Sequence, residues 1–262
     1  MAVVKIHAII LKSYETGNSS EVVHILCAEY GRFSVYARGL RRPHSRFASV
    51  LQPLSLVELT LATREGAEMA TLREATTLAD NSALTSDLER FSLALVLAES
   101  AAAACHSAQA APEMFAALVQ ALHDLDPRSG EAALPAACRG MLAILAAAGY
   151  EPQLEAALLR PWPAGSAKPR MFWLEVENAT IHSRGPQPAD EPQWPRRVPP
   201  SAGRFPLPPQ AVRFLHNTQQ GREASLPNEC AVQLFEGLVR IAEFHHESGI
   251  RSADFWRELS GA

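Results

Sequence analysis

Apolar and polar positions alternate with a period near two through the first eighty residues, then switch to the wider spacing of helices. The alternation predicts strands at 3–11, 21–28, 32–39, 54–62 and 69–75. Turn-rich residues separate them: Ser, Gly and Asn across 13–20, and Glu29-Tyr30-Gly31 as a tight turn. Five short strands followed abruptly by helix suit a small closed barrel of the OB type, which leaves no exposed sheet edge. Leu- and Ala-rich helical spacing follows at 87–104, 112–125 and 131–148, where Gly149 supplies a stop. Residues 171–176 and 179–182 can pair as a hairpin across Glu177-Asn178. Pro186, Pro188, Pro192, Pro195, Pro199 and Pro200 then deny the chain regular hydrogen bonding, which predicts a loop. Helices resume at 209–217, 228–246 and 253–259.

The predicted fold class is therefore multidomain α and β. An N-terminal five-stranded OB-fold β-barrel over 1–80 precedes a mainly α-helical domain over 81–262, which carries a small β-hairpin insertion and a Pro-rich loop at about 160–208.

Composition narrows the function more by exclusion than by assignment. No uncharged apolar run approaches the roughly 18 residues of a membrane span, and the first residues enter a strand pattern rather than a cleavable leader, which predicts a cytoplasmic protein. Cys27, Cys105, Cys138 and Cys230 lie far apart without a C-x-x-C pair, so they read as buried thiols rather than as a zinc or disulfide framework. Phosphate-cradling, dinucleotide and nucleophile-elbow motifs are all missing, which disfavours an enzyme. Glu58, Glu65, Glu68 and Glu74, the acids a metal-dependent nuclease would need in the barrel, are spread over strand and turn positions. His24 and Cys27 fall on opposite faces of a strand and read as packing residues.

Charge changes the picture. The chain has a net charge of -4, yet its first fifty residues hold seven cations against three glutamates, a local +4 that leaves -8 for the remainder. The densest stretch runs from Arg32 to Phe47. On strand 32–39, period two puts Phe33, Val35 and Ala37 on one face and Arg32, Ser34, Tyr36 and Arg38 on the other. Arg41, Arg42 and Arg46 continue the charge into the next loop. Guanidinium groups track phosphates while a ring offers a stacking surface to any base, so this pattern suits single-stranded nucleic acid; a solvated basic turn beside an ordinary strand is the alternative. In the helical part, Arg139 with Leu142 and, one turn on, Leu145 could set a cation beside an apolar groove for an acidic peptide ending in an aromatic residue. An ordinary amphipathic helix with one surface arginine accounts for the same spacing.

Several segments together resemble the RecO family across nearly the full length. They are His7-Ala8-Ile9-Ile10-Leu11-Lys12-Ser13-Tyr14, Glu21-Val22-Val23-His24-Ile25-Leu26, Glu29-Tyr30-Gly31-Arg32, Ala37-Arg38-Gly39-Leu40-Arg41-Arg42 and Ser45-Arg46-Phe47 with Leu51-Gln52-Pro53. The Gly149-Tyr150 turn and Phe244-His245-His246 with Arg251-Ser252-Ala253-Asp254-Phe255-Trp256 extend the likeness. The resemblance implies a non-enzymatic mediator of DNA repair and recombination. Such a protein binds single- and double-stranded DNA, anneals complementary strands without ATP, and works with RecR to load RecA on gaps coated by single-strand-binding protein, SSB, in association with the nucleoid. On matching positions it implies DNA contacts from Lys12, Arg38, Arg41, Arg42 and Arg46, joined by Arg32 and Tyr36 from the strand pattern, and reception of the acidic SSB C-terminal tail near Arg139. Many relatives carry a four-cysteine zinc module after the Gly-Tyr turn. Residues 153–157 and the hairpin contain no cysteine, so no zinc and no other cofactor is expected. A protein-interaction adaptor, its barrel binding a partner and lacking annealing activity, is the alternative.

Overall fold

The computed structural model describes residues 2–63, 69–155, 172–182, 203–246 and 249–261. Strands β1 (Ala2–Thr16), β2 (Ser20–Cys27), β3 (Gly31–Ala37), β4 (Leu56–Thr63) and β5 (Ala70–Ala79) close into a barrel in the order β1-β2-β3-β5-β4. Every pairing in the ring is antiparallel except that of β3 with β5. This is the five-stranded OB-type barrel that the alternation predicts. Ile6, Ala8, Ile10, Val23, Ile25, Val35 and Leu59 fill its interior.

The first hairpin is longer than expected. β1 runs on to Thr16, and the turn shrinks to 17–19, with Gly17 at a φ of 59°. Polar residues in 13–16 look like loop in the sequence, but their backbone groups pair with β2. The ladder also shifts register between Ile10 and Lys12.

A short helix α1 (Ser82–Ser86), too brief to show periodicity, leads into α2 (Leu88–Ala104), α3 (Pro112–Leu125) and α4 (Ala133–Ala147). Local chemistry fixes their ends. Asp87 caps α2 by accepting the Arg90 N–H at 3.1 Å, and Pro112 opens α3, where its missing N–H costs nothing. Gly149, at a φ of 83°, ends α4 as the Tyr150 N–H reaches back to the Leu145 carbonyl at 2.8 Å. α5 (Pro209–Gln219), α6 (Asn228–His245) and α7 (Arg251–Ser260) complete the helical core. That core takes in Ile9, Leu26 and Leu54 from the outside of the barrel, so one barrel flank is packed against the helices. Gly31 marks a close approach between the barrel and the segment before α3. Its φ is 56°, and a Cβ there would lie 2.4 Å from the Gln109 carbonyl oxygen.

The predicted hairpin is present as β7 (Phe172–Glu175) and β8 (Thr180–His182), within a larger sheet than expected. β6 (Gln153–Leu154) and β9 (Arg204–Leu207) flank it in the order β6-β8-β7-β9. β9 carries Pro206, which argues against a central strand; at the sheet edge the missing donor is tolerated. The six prolines of the predicted loop lie outside the described residues. Behind this sheet, Arg257 links α7 to α6 through Glu236 at 3.0 Å and Glu243 at 2.8 Å, and Arg240 shares Glu236 at 2.7 Å.

Candidate nucleic-acid interface

The irregularity at Leu11 decides what the barrel shows to solvent. Before it, Ile6, Ala8 and Ile10 point into the barrel. With strict alternation Lys12 and Tyr14 would follow them inward. One extra residue reverses the parity, so Leu11 packs toward the helices while Lys12 and Tyr14 turn outward. Across the sheet, Lys12 faces His24 and His24 faces Ser34, while Tyr14 faces Val22 and Val22 faces Tyr36. One outer face thus collects Lys12, Tyr14, His24, Arg32, Ser34 and Tyr36.

Contacts hold these groups in place. The Lys12 ammonium lies 5.3 Å from the Tyr14 ring centroid, and the Tyr14 and His24 rings meet edge to face at 5.3 Å. His24 Nδ1 and Ser34 Oγ are 3.1 Å apart. Burial, then the nearby charges of Lys12 and Arg32, hold the His24 imidazole below its ordinary pKa. Arg32 is exposed, and its own carbonyl accepts the Ala108 N–H, which anchors it at the junction with the helical part.

The arginine loop begins where β3 ends. The Gly39 N–H donates to Ser20 Oγ at 3.3 Å and the Arg41 N–H to the Ser19 carbonyl at 3.0 Å, which ties the loop to the β1–β2 turn. Leu40 and Leu51 are buried against the barrel core, and Phe47 packs beside them. With its apolar members inward, the loop presents Arg38, Arg41, Arg42 and Arg46 to solvent. Arg41 forms an ion pair with Glu15 at 2.7 Å. Arg46 leans over the Phe47 ring and donates to the Arg73 carbonyl at 2.9 Å. Among the described residues, no carboxylate pairs with Lys12, Arg32, Arg38 or Arg42.

A cleft of about 610 Å³ runs between the outer barrel face and α2 and α7. Lys12, Tyr14, His24, Arg32 and Ser34 line one side; Ala98, Glu99, Ala102 and Arg251 line the other. Expected as a packing residue, His24 instead helps to line this cleft.

Two family models match in succession, Recombination protein O N terminal over residues 1–80 and Recombination protein O C terminal over residues 85–158. The chain belongs to the recombination protein O family. It is similar to the DNA repair protein RecO of Heliobacterium modesticaldum, with 31% identity over 192 residues, covering 70% of this chain and 67% of the relative. Its likeness to the protein of that name from Synechococcus elongatus is 27% over 250 residues, covering 94% and 91%. The relative from Anaeromyxobacter sp. strain K is 34% identical over 171 residues, and that match spans 65% of the relative's length.

Membership of the family does not open the expected peptide groove. Leu142 and Leu145 are 5% and 1% exposed, both within the helical core, so neither offers a surface to a ligand. A helical face seen only as a sequence looks the same whether it meets solvent or another helix, and here it meets other helices. Arg139 is half-buried, pairs with Glu131 at 2.5 Å and lies 5.9 Å from the Phe214 ring. After the Gly149-Tyr150 turn, the hairpin region presents Glu155, Glu175 and His182, with Glu175 committed to Arg204 at 2.8 Å. Among the described residues no group of His, Cys, Asp or Glu is arranged to hold a metal, and no helix is long and apolar enough to cross a membrane.

Proposed function

We propose that this chain is a DNA repair and recombination mediator that binds single- and double-stranded DNA through the outer face of its barrel and the arginine loop. In this reading Lys12, Arg32, Arg38, Arg41, Arg42 and Arg46 contact phosphates and Tyr36 contributes a ring. The carrying observation is that Lys12, Arg32, Arg38 and Arg42 project from the barrel with no carboxylate partner among the described residues, in a molecule that is negative as a whole. Such an edge screens the repulsion between two phosphate backbones. It therefore favours annealing of complementary strands without ATP and asks no bond-making of the protein.

Cooperation with RecR in loading RecA on SSB-coated gaps belongs to the same proposal, as does a place at the nucleoid. A second, weak contact with the acidic SSB tail would raise the protein's local concentration at a coated gap. Arg139 is the cation proposed for it, the tail carboxylates competing with Glu131. The test is annealing of two complementary oligonucleotides labelled as a fluorescence donor and acceptor, with no nucleotide added. Faster annealing with the protein, abolished by Arg38→Ala/Arg42→Ala, is the expected result. An unchanged annealing rate would favour an adaptor that binds partners alone.

A further inference from the structure

The cleft between barrel and helices differs from the open arginine loop in shape and in chemistry. Its volume of about 610 Å³ is that of a small-ligand site, and it is walled on both sides. Lys12, Arg32 and Arg251 bring three cations to it. Glu99, a carboxylate in the same cleft, is already engaged: it accepts the Ser252 N–H at 2.8 Å and the Ser252 hydroxyl at 2.7 Å, which fixes the start of α7 and with it Arg251. Tyr14 is 51% exposed, so its ring faces the open space.

We propose that this cleft binds one unpaired nucleic-acid strand, stacking a base on the Tyr14 ring, which His24 meets edge to face, and holding the flanking phosphates with Lys12, Arg32 and Arg251. The inference rests on the reading of the barrel face as a DNA-binding surface and adds to it a choice of strand state. Two rings and three cations share the cleft, the two chemistries that the bases and phosphates of a strand call for. The bases of a duplex, already paired and stacked, leave no free face for Tyr14. Small side chains on the far wall, Ala98 and Ala102, keep the space open. Burial first, and then the charges of Lys12 and Arg32 in the same cleft, hold the His24 imidazole below its ordinary pKa. The arginine loop, open to solvent, takes either form of DNA, while the cleft takes single strands alone.

The test uses the full chain with a fluorescein-labelled oligothymidylate, a blunt hairpin duplex, and an oligonucleotide containing 2-aminopurine, whose emission falls on stacking. Tyr14→Ala should weaken single-strand binding about tenfold, the effect of removing one stacked base, and abolish the quenching of 2-aminopurine; Tyr14→Phe should retain both. Arg251→Ala should lower the single-strand salt slope by about 0.7. Hairpin affinity should change by less than about twofold in each variant. Equal weakening of strand and hairpin, or full quenching by Tyr14→Ala, overturns the cleft site while leaving DNA binding by the barrel intact. A wild-type protein that binds neither ligand overturns both.

Discussion

Replacing Glu15 by glutamine should tighten DNA binding, although the residue itself never touches DNA. Arg41 reaches Glu15 at 2.7 Å, with side chains 38% and 70% exposed, so the pair sits in water. An exposed ion pair of this kind is worth about 0.2–1 kcal/mol. Arg41 must give up that energy before it can contact a phosphate, and the released carboxylate then faces a polyanion. Glu15→Gln removes both costs, for a gain of up to about fivefold in affinity at low salt that shrinks at higher ionic strength. Arg41→Ala should do the reverse, yet weaken binding less than Arg42→Ala, because the pair with Glu15 already offsets part of what Arg41 gains from phosphate. Glu15→Gln/Arg41→Ala should fall between Glu15→Gln and Arg41→Ala, giving a positive coupling between positions 15 and 41. Fluorescence anisotropy of a labelled single strand measures the wild type and all four variants. Unchanged or weaker binding by Glu15→Gln would show that Arg41 does not exchange its partner for phosphate.

Three further outcomes follow from the packing and protonation of the fold. Gly31→Ala should cost at least about 2 kcal/mol in urea unfolding, since the positive φ penalises any Cβ and this one would press on the Gln109 carbonyl. Native-state alkylation should modify Cys230 first: Cys27, Cys105 and Cys138 are buried, and burial pushes the Cys27 thiol up to about 11. Asp126, held below its ordinary pKa by the Arg128 side chain and then by the Arg128 backbone N–H, contributes stability that is present above the unfolded carboxylate value of 3.8 and disappears as pH falls through the folded value. Asp126→Asn should therefore unfold more easily near neutrality, and its difference from wild type should close on acidification, which thermal melts across pH would record.

Strong periodicity and local punctuation made most elements legible. Pro112 and Leu125 bound α3 as the sequence suggests, and the five strands follow from alternation. Elements without a local signal escaped. β6 has two residues and β9 contains a proline, so both exist only because β7 and β8 offer a sheet to join. The arginine loop was readable because its charges are contiguous in the chain. The cleft was not, for two reasons. The irregularity at Leu11 reverses the facing of Lys12 and Tyr14 without any compositional mark, and Arg251 arrives from far along the chain through the packing of α7 on α2. Leu142 and Leu145 show the converse, an apolar spacing that suits a groove and is consumed by the core.

Whether guanidinium and ammonium groups on one barrel edge gather around a polyanion is tested most directly by the salt dependence of single-strand affinity, measured for the wild-type chain and for Arg38→Ala/Arg42→Ala. The wild type should show a steep linear fall of log affinity with log salt. The variant's slope should be shallower by about 1.4, or about 0.7 for each phosphate no longer neutralised. An affinity indifferent to salt, or a variant with the wild-type slope, would contradict the proposed interface.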